Sequence, residues 1–71
     1  MIEFDIETEF IQLDKLLKVC RVVSSGGEAH QLVDEGKVKL NGTIESRRRA
    51  KIRPGDRVQI GSETIIVNAK K

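Results

Sequence analysis

Residues 24–42, SSGGEAHQLVDEGKVKLNG, carry signals for a helix, a stop, a strand and a tight turn in immediate succession. Ser25 is a favourable N-cap, and Glu28 stands three residues later, where the acid of a capping box can reach back. Gly36 supplies a residue that readily takes the left-handed conformation and ends a helix. Asn41-Gly42 is a strong signal for a two-residue hairpin turn. The stretch therefore predicts a helix that leads directly into a β-ribbon.

Apolar spacing on either side of Gly36 supports this division. Ala29, Leu32 and Val33 recur at helical spacing. Val38 and Leu40 then alternate with lysines, as in a strand with one exposed face.

The residues before this stretch predict a strand and a first helix. Three apolar residues alternate with acids at the start, which favours a short strand with an acidic face: Ile2, Phe4 and Ile6. From about Ile11 the spacing becomes helical, with one stripe made of Leu13, Leu16, Leu17 and Cys20. We expect Val22 and Val23 to close this helix.

The residues after the hairpin turn predict a small sheet. We expect Ile44 opposite Leu40, a turn at 54–56 and two further strands at 57–60 and 64–67. The predicted fold class is α+β, with two packed helices against a small, mostly antiparallel sheet, in a single domain over residues 1–71.

Charge is divided unevenly along the chain. Residues 1–14 hold five acids and no base, whereas residues 15–71 hold all thirteen bases and the other six acids. Such a division favours a basic face for a polyanion, the alternative being a solvated surface with no partner.

The arginine run is the most informative polar feature. If Ala50 and Ile52 face inward, four basic side chains share the outer face of an extended segment: Arg47, Arg49, Lys51 and Arg53. Alternate residues of a strand lie about 6.6 Å apart, which is of the same order as neighbouring phosphates. The alternative is again a solvated face.

Gly26-Gly27 at the predicted start of the second helix has two interpretations. Glycines there would give a phosphate close access to free N–H groups at the positive end of the helix dipole. Alternatively, Gly26 allows a tight turn or close packing of the first helix.

The remaining residues point away from catalysis and cofactors. Cys20 is the single cysteine, which excludes an internal disulfide, favours a reducing cytoplasmic compartment and predicts a buried apolar thiol. His30 has no second histidine or cysteine near it, so we expect no metal, and it is either a phosphate contact or a surface residue. No nucleophile–base pair or phosphate loop occurs, and we expect no enzyme, leader peptide or membrane span.

The ordered pattern resembles the RNA-binding domain of small-subunit ribosomal protein four, the αL motif, over about residues 12–60. The matching elements are Leu13-Asp14, Leu16-Leu17, Ser25, Ala29, Leu32, Gly36, Val38, Leu40, Asn41-Gly42 and Gly55-Asp56. The double glycine, the arginine run and the short length are similar to small stand-alone members of the YaaA/YbcJ kind. The chain departs from many relatives at Gln12, Gly26 and His30, where they carry basic residues, so binding is expected to shift toward the ribbon and residues 47–53.

The resemblance implies a non-enzymatic, bacterial, monomeric protein that binds structured RNA, ribosomal RNA or a ribosome-assembly intermediate. The candidate RNA contacts are Lys15, Lys18, Gly26, Gly27, His30, Lys37, Lys39, Arg47, Arg48, Arg49, Lys51 and Arg53. One alternative is a protein-interaction module that docks through its acidic first strand. The other is a β-grasp sulfur carrier, which is disfavoured because the chain lacks the reactive C-terminal Gly-Gly.

Overall fold

Residues 1–70, the part of the chain that the computed structural model describes, form two helices and seven strands. The helices are α1 (Leu13–Val19) and α2 (Gly26–Asp34). The strands are β1 (Ile2–Ile6), β2 (Ile11–Gln12), β3 (Val38–Leu40), β4 (Thr43–Ile44), β5 (Lys51–Ile52), β6 (Arg57–Ile60) and β7 (Glu63–Ala69).

Five of the strands form one sheet in the order β1-β7-β6-β3-β4, and β2 pairs with β5 in a separate ladder. The pairs within the five-stranded sheet are antiparallel except β1 with β7, which is parallel. The predicted α+β class with a mostly antiparallel sheet is therefore confirmed.

The helices and the sheet share one aliphatic core. Its fully buried larger side chains come from both helices, from β5 and from three strands of the sheet: Leu13, Leu16, Leu17, Val33, Val38, Ile52, Val58, Ile65 and Val67. Ala50 and Ile52 are both buried, so the inward orientation predicted for them is confirmed. The core thus anchors the segment that carries the arginine run.

Helix α1 begins two residues later than its spacing predicts. Ile11 and Gln12 pair instead with β5, and the N–H groups of Leu13 and Asp14 donate to carbonyls of residues 50 and 48 at 2.9 and 3.0 Å. The first-turn N–H groups of a helix have no partner within the helix. Backbone from the arginine run supplies those acceptors here, a tertiary contact that spacing along the chain does not reveal.

Helix α1 also ends earlier than predicted. Arg21 takes a left-handed φ of 59°, and the N–H of Val22 donates to Leu17 O at 3.1 Å. Val23 is buried and Val22 half-buried outside the helix, so they pack under the turn without continuing it. Cys20 is half-buried at the C-cap, not fully buried as predicted, and this burial raises the pKa of its thiol.

The Asn41-Gly42 turn is confirmed, with φ of 51° and 88° at the two residues, as a type I′ turn requires. A two-residue turn places Leu40 opposite Thr43, so Ile44 lies opposite Lys39. The predicted Leu40–Ile44 pair is wrong by one register position, and Ile44 is 58% exposed.

Strand β7 spans Glu63–Ala69 and is longer than the predicted residues 64–67. Its C-terminal residues are held in the sheet because they pair with β1. Ile2 pairs with Ile65 and Ile6 with Ala69. This parallel pairing joins the two ends of the described chain.

Candidate nucleic-acid interface

The start of α2 combines a side-chain cap with two glycines. Ser25 Oγ accepts from the N–H of Glu28 at 3.2 Å. The Glu28 carboxylate accepts from the hydroxyl of Ser24 at 2.9 Å. Ser25 is therefore the N-cap, as predicted. In a full capping box the Glu28 carboxylate would accept from the Ser25 N–H, but here it accepts from the Ser24 hydroxyl instead.

The backbone does not require glycine at the first two positions of α2. Neither Gly26 nor Gly27 has a positive φ. A Cβ at Gly26 would meet no atom within 4 Å, and one at Gly27 would lie 3.9 Å from Ser25 Oγ. The interpretation that Gly26 allows a tight turn or close packing of the first helix is therefore not supported, since neither φ nor a neighbouring atom there requires glycine.

Two basic residues lie beside this helix start. Lys18 and Arg21 line a surface depression together with Ser24 and Glu28. Arg21 was not among the contacts predicted from the sequence. Its spacing of three residues from Lys18 is the signal that could have found it, since residues three apart on a helix are neighbours.

The arginine run is not the extended segment that alternation predicts. Residues 48 and 49 form a turn, the Ala50 N–H donates to Arg47 O at 3.3 Å, and strand geometry is confined to β5. Two acids accept hydrogen bonds from the run: the Arg47 guanidinium donates to Glu45 Oε1 and Oε2 at 3.1 Å, and Arg48 Nε donates to Asp34 Oδ1 at 3.1 Å. The run thus takes a turn that the pattern of apolar residues does not predict.

These ion pairs lower the pKa values of the two acids. The hydrogen bonds and charge of Arg47 lower the pKa of Glu45, outweighing its partial burial. The hydrogen bonds and charge of Arg48 likewise lower the pKa of Asp34. Arg47 and Arg48 therefore begin from a paired state, and a phosphate would have to compete with their carboxylates.

Four side chains of the run nevertheless meet at one place. A depression is lined by Arg47, Arg49, Lys51 and Arg53 around Ala50. Arg49 and Arg53 form no ion pair within residues 1–70. Lys51 Nζ lies 5.0 Å from the centre of the Phe10 ring, a distance at which a cation and an aromatic face attract each other. Of the four basic side chains, Arg47 alone has a carboxylate partner in residues 1–70.

His30 contacts an acid of the neighbouring helix. Its Nε2 donates to Asp14 Oδ2 at 3.0 Å, with side-chain exposures of 32% and 17%. Burial alone would raise the pKa of Asp14, but hydrogen bonds from His30 and from the Lys15 N–H, together with the charges of His30 and Arg49, outweigh it and lower the pKa. Neither interpretation of His30 from the sequence included this interhelical bond.

The other predicted contacts lie in separate depressions. Lys15 lies beside Phe10 and Gln12, and Lys37 and Lys39 lie near the C-terminal end of α2. Lys37 Nζ lies 3.3 Å from Glu35 Oε1. The fold thus distributes the predicted residues over several surfaces and does not gather them into one groove.

Strand order separates the acids of β1 from the lysine of β3. The exposed acids Glu3 and Asp5 lie on β1, at one edge of the five-stranded sheet, whereas Lys39 lies on β3, three strands away. The arginine run follows β4 in sequence, but its strand β5 belongs to the separate ladder with β2.

Neither a metal centre nor a membrane helix is found in residues 1–70. No three side chains of the histidine, cysteine, aspartate and glutamate types stand close enough to hold an ion. Neither helix is long and apolar enough to cross a membrane.

Comparison with known proteins identifies related chains. The "Probable ribosome maturation protein RlbA" of Bacillus subtilis is 40% identical over 55 residues, 78% of each chain. YbcJ of Escherichia coli is 36% identical over 59 residues, 83% of this chain and 84% of the relative. The "RQC P-site tRNA stabilizing factor" of Bacillus subtilis is 29% identical over 63 residues, 86% of this chain and 72% of the relative.

The fold agrees with these sequence relationships. The solution structure of YbcJ, described as an αL motif involved in RNA-binding, superposes with a TM-score of 0.76 at 33% identity and covers 97% of this chain and 89% of that chain. The model of the S4 domain family matches residues 4–68. The chain therefore belongs to the S4 domain family.

Proposed function

We propose that this protein is a small, non-enzymatic, cytoplasmic RNA-binding protein whose ligand is structured RNA, either ribosomal RNA or a ribosome-assembly intermediate. The observation that carries the proposal is the depression of four basic side chains formed by Arg47, Arg49, Lys51 and Arg53. Membership of the S4 domain family and the names of the RlbA and YbcJ relatives support RNA over other polyanions.

The proposed contact is to the RNA backbone. Arginine presents a planar fork of donors that matches phosphate oxygens, and Arg49 and Arg53 can offer it without breaking an ion pair. Affinity would come largely from counterion release, and selectivity from the shape of the RNA and its 2′-hydroxyls.

A second proposed contact is the start of α2. Gly26 and Gly27 leave the first N–H groups of the helix unobstructed by side chains, and Lys18 and Arg21 stand beside them. A phosphate placed there would meet the positive end of the helix dipole as well as these two cations.

The test is the salt dependence of binding to a fluorescent RNA hairpin taken from small-subunit ribosomal RNA. Each neutralised phosphate contributes roughly 0.7–0.9 to the slope of log affinity against log salt, so several contacts predict a slope of several units. An RNA duplex without loops and a double-stranded DNA of equal length serve as controls for shape. A slope near zero in potassium chloride would contradict the proposal.

A second candidate function is protein interaction through β1. This strand is an edge of the sheet and exposes Glu3 and Asp5, so an extended basic segment could pair with it. Capture of a partner that survives nuclease treatment and is lost on Glu3→Lys would favour this function over RNA binding.

A further inference from the structure

The short ladder of β2 and β5 has one buried face and one exposed face. Ile11 pairs with Ile52, and both side chains are buried. Gln12 pairs with Lys51, and both of these side chains are exposed. Lys51 also lines the arginine depression formed by residues 47–53, so the exposed face of the ladder adjoins the proposed RNA contact.

Phe10 is an aromatic side chain on this exposed face that the core does not use. The chain has two aromatic residues, and within residues 1–70 Phe4 packs against the aliphatic core whereas Phe10 does not. Phe10 is half-buried, and Lys51 Nζ lies over its ring at 5.0 Å from the centre. One face of the ring is thus covered by a flexible, exposed side chain and not by the core.

A depression of about 380 Å³ lies beside the ring. This volume falls in the range of about 300–1,000 Å³ that is typical of small-ligand sites. Phe10 and Ile11 supply its apolar surface, and Lys15 borders it from α1. Neither Lys15 nor Lys51 forms an ion pair in the part of the chain that the structure describes, so both ammonium groups can meet an anion.

This combination is suited to one unpaired nucleotide. A base can stack on an aromatic ring whatever its identity, and ammonium groups match the phosphates on either side of it. An exposed contact between a cation and a ring is weaker than the stacking of a base on that ring. An arriving base can therefore displace the Lys51 ammonium group, which then meets a phosphate. Paired bases keep their faces covered within the duplex, so the nucleotide must come from an unpaired segment.

We propose that Phe10 is the stacking site for one unpaired base of the RNA ligand, with the flanking phosphates on Lys15 and Lys51. The inference rests on the proposed function, since it names the kind of nucleotide that the RNA presents beside the arginine depression.

The first test compares a hairpin from small-subunit ribosomal RNA with a copy whose loop nucleotides are abasic sugars. The two hairpins carry the same phosphates and differ only in the unpaired bases. Phe10→Leu removes the aromatic ring and keeps an apolar side chain. We expect this variant to bind the hairpin with bases roughly tenfold more weakly than the native chain does, because one stacked base is lost. It should bind the abasic hairpin as the native chain does.

Fluorescence tests the contact directly, because the chain has no tryptophan or tyrosine of its own. The emission of Phe10→Trp should be quenched at saturation with the hairpin that carries bases, and not with the abasic hairpin. Ile44→Trp is the matched control, because Ile44 is 58% exposed and lies outside both depressions. Its emission should respond equally to the two hairpins. Melting curves check that the variants are folded, and the quenching decides the question even if Phe10→Leu is unstable.

The outcomes separate this inference from the proposed function. Native affinity of Phe10→Leu for the hairpin with bases, with a steep salt slope, would overturn the stacking site and leave RNA binding in place. Equal weakening toward both hairpins, or equal quenching of Phe10→Trp by both, would also overturn it, since the ring would then act without touching a base. Absence of binding to either hairpin would overturn both.

Discussion

Arg21 and Gly36 occupy equivalent positions beyond the two helices, one residue after each C-cap, with φ of 59° and 71°. The N–H that follows each of them donates to a carbonyl five residues earlier, at 3.1 Å after α1 and 3.0 Å after α2. Both helices thus end in the same Schellman arrangement. The left-handed residue after α2 is glycine, which takes a positive φ without strain, whereas the one after α1 is arginine, which does not.

We expect Arg21→Gly to raise the stability of the fold. Relief of a left-handed arginine is worth about 1–2 kcal/mol, and the added freedom of glycine in the unfolded chain offsets about 0.5–1 of it. A net gain of about 0.5–1 kcal/mol corresponds to a rise of a few degrees in Tm for a domain of this size.

The same variant should bind RNA more weakly, because a cation beside the start of α2 is removed. Arg21→Lys is the control that keeps the charge and the strain, and it should resemble the native chain in both measurements. Thermal melting and hairpin binding test the pair. An unchanged Tm in Arg21→Gly would show that the surrounding turn, and not this residue, carries the strain.

The His30–Asp14 bond predicts a pH dependence of stability. The pKa of Asp14 is lowered in the folded chain, because the His30 and Lys15 hydrogen bonds and nearby positive charge outweigh the effect of burial. The native state therefore favours the carboxylate. The Asp14 carboxylate therefore adds to the free energy of unfolding above the unfolded pKa of about 3.9. This stabilisation is lost as the pH falls through the lower native pKa.

Asp14→Asn should accordingly be less stable than the native chain at pH 6, by about 1 kcal/mol or less for a partly exposed pair. The difference should shrink as the pH falls below about 4, where the native carboxyl is protonated too. Denaturant melts at a series of pH values measure this. Asp5→Asn, at an exposed position of β1 without an ion pair in residues 1–70, should show no such convergence.

The arginine depression predicts a separation of binding from stability. Replacing Arg47, Arg49 and Lys51 together with Gln should weaken RNA binding at low salt by roughly tenfold or more and reduce the salt slope by about two units. Tm should change little, because all three side chains are exposed.

Arg48→Gln is the comparison within the same run. Its guanidinium is directed to Asp34 on α2 and lies outside the depression. We expect a smaller loss of RNA affinity than from any one of the three other positions. If the triple variant binds hairpin RNA as the native chain does, the run is a solvated face and the footprint lies elsewhere.

Gly27→Ala separates the structural and binding roles of the second helix start. A methyl group there would make an ordinary contact at 3.9 Å from Ser25 Oγ, and φ is not positive, so we expect a gain of about 0.4–1 kcal/mol from the restricted unfolded chain. The methyl group would nevertheless obstruct a phosphate at the N–H groups. Circular dichroism, melting and hairpin binding should show a stable protein with reduced affinity, and normal affinity would remove the phosphate site.

Signals carried by neighbouring residues determined most of the elements. The Ser25 cap, the Gly36 stop and the Asn41-Gly42 turn are each confirmed, because a cap or a turn depends on hydrogen bonds and backbone angles within a few residues. The inward positions of Ala50 and Ile52 are also confirmed. Two apolar residues that alternate with basic ones over a short segment indicate which side chains are buried.

Only the tertiary structure decided the pairings between distant segments. Residues 11–12 leave the helical pattern because residues 51–52 offer them a strand partner, and β1 lies parallel to β7 at the far end of the chain. The arginine run forms a turn whose backbone carbonyl at Arg48 accepts from the Asp14 N–H of α1. Such contacts join residues that are far apart in sequence, so their free energy depends on the assembled fold. For the same reason, only the folded chain determines which basic side chains lie in the same depression.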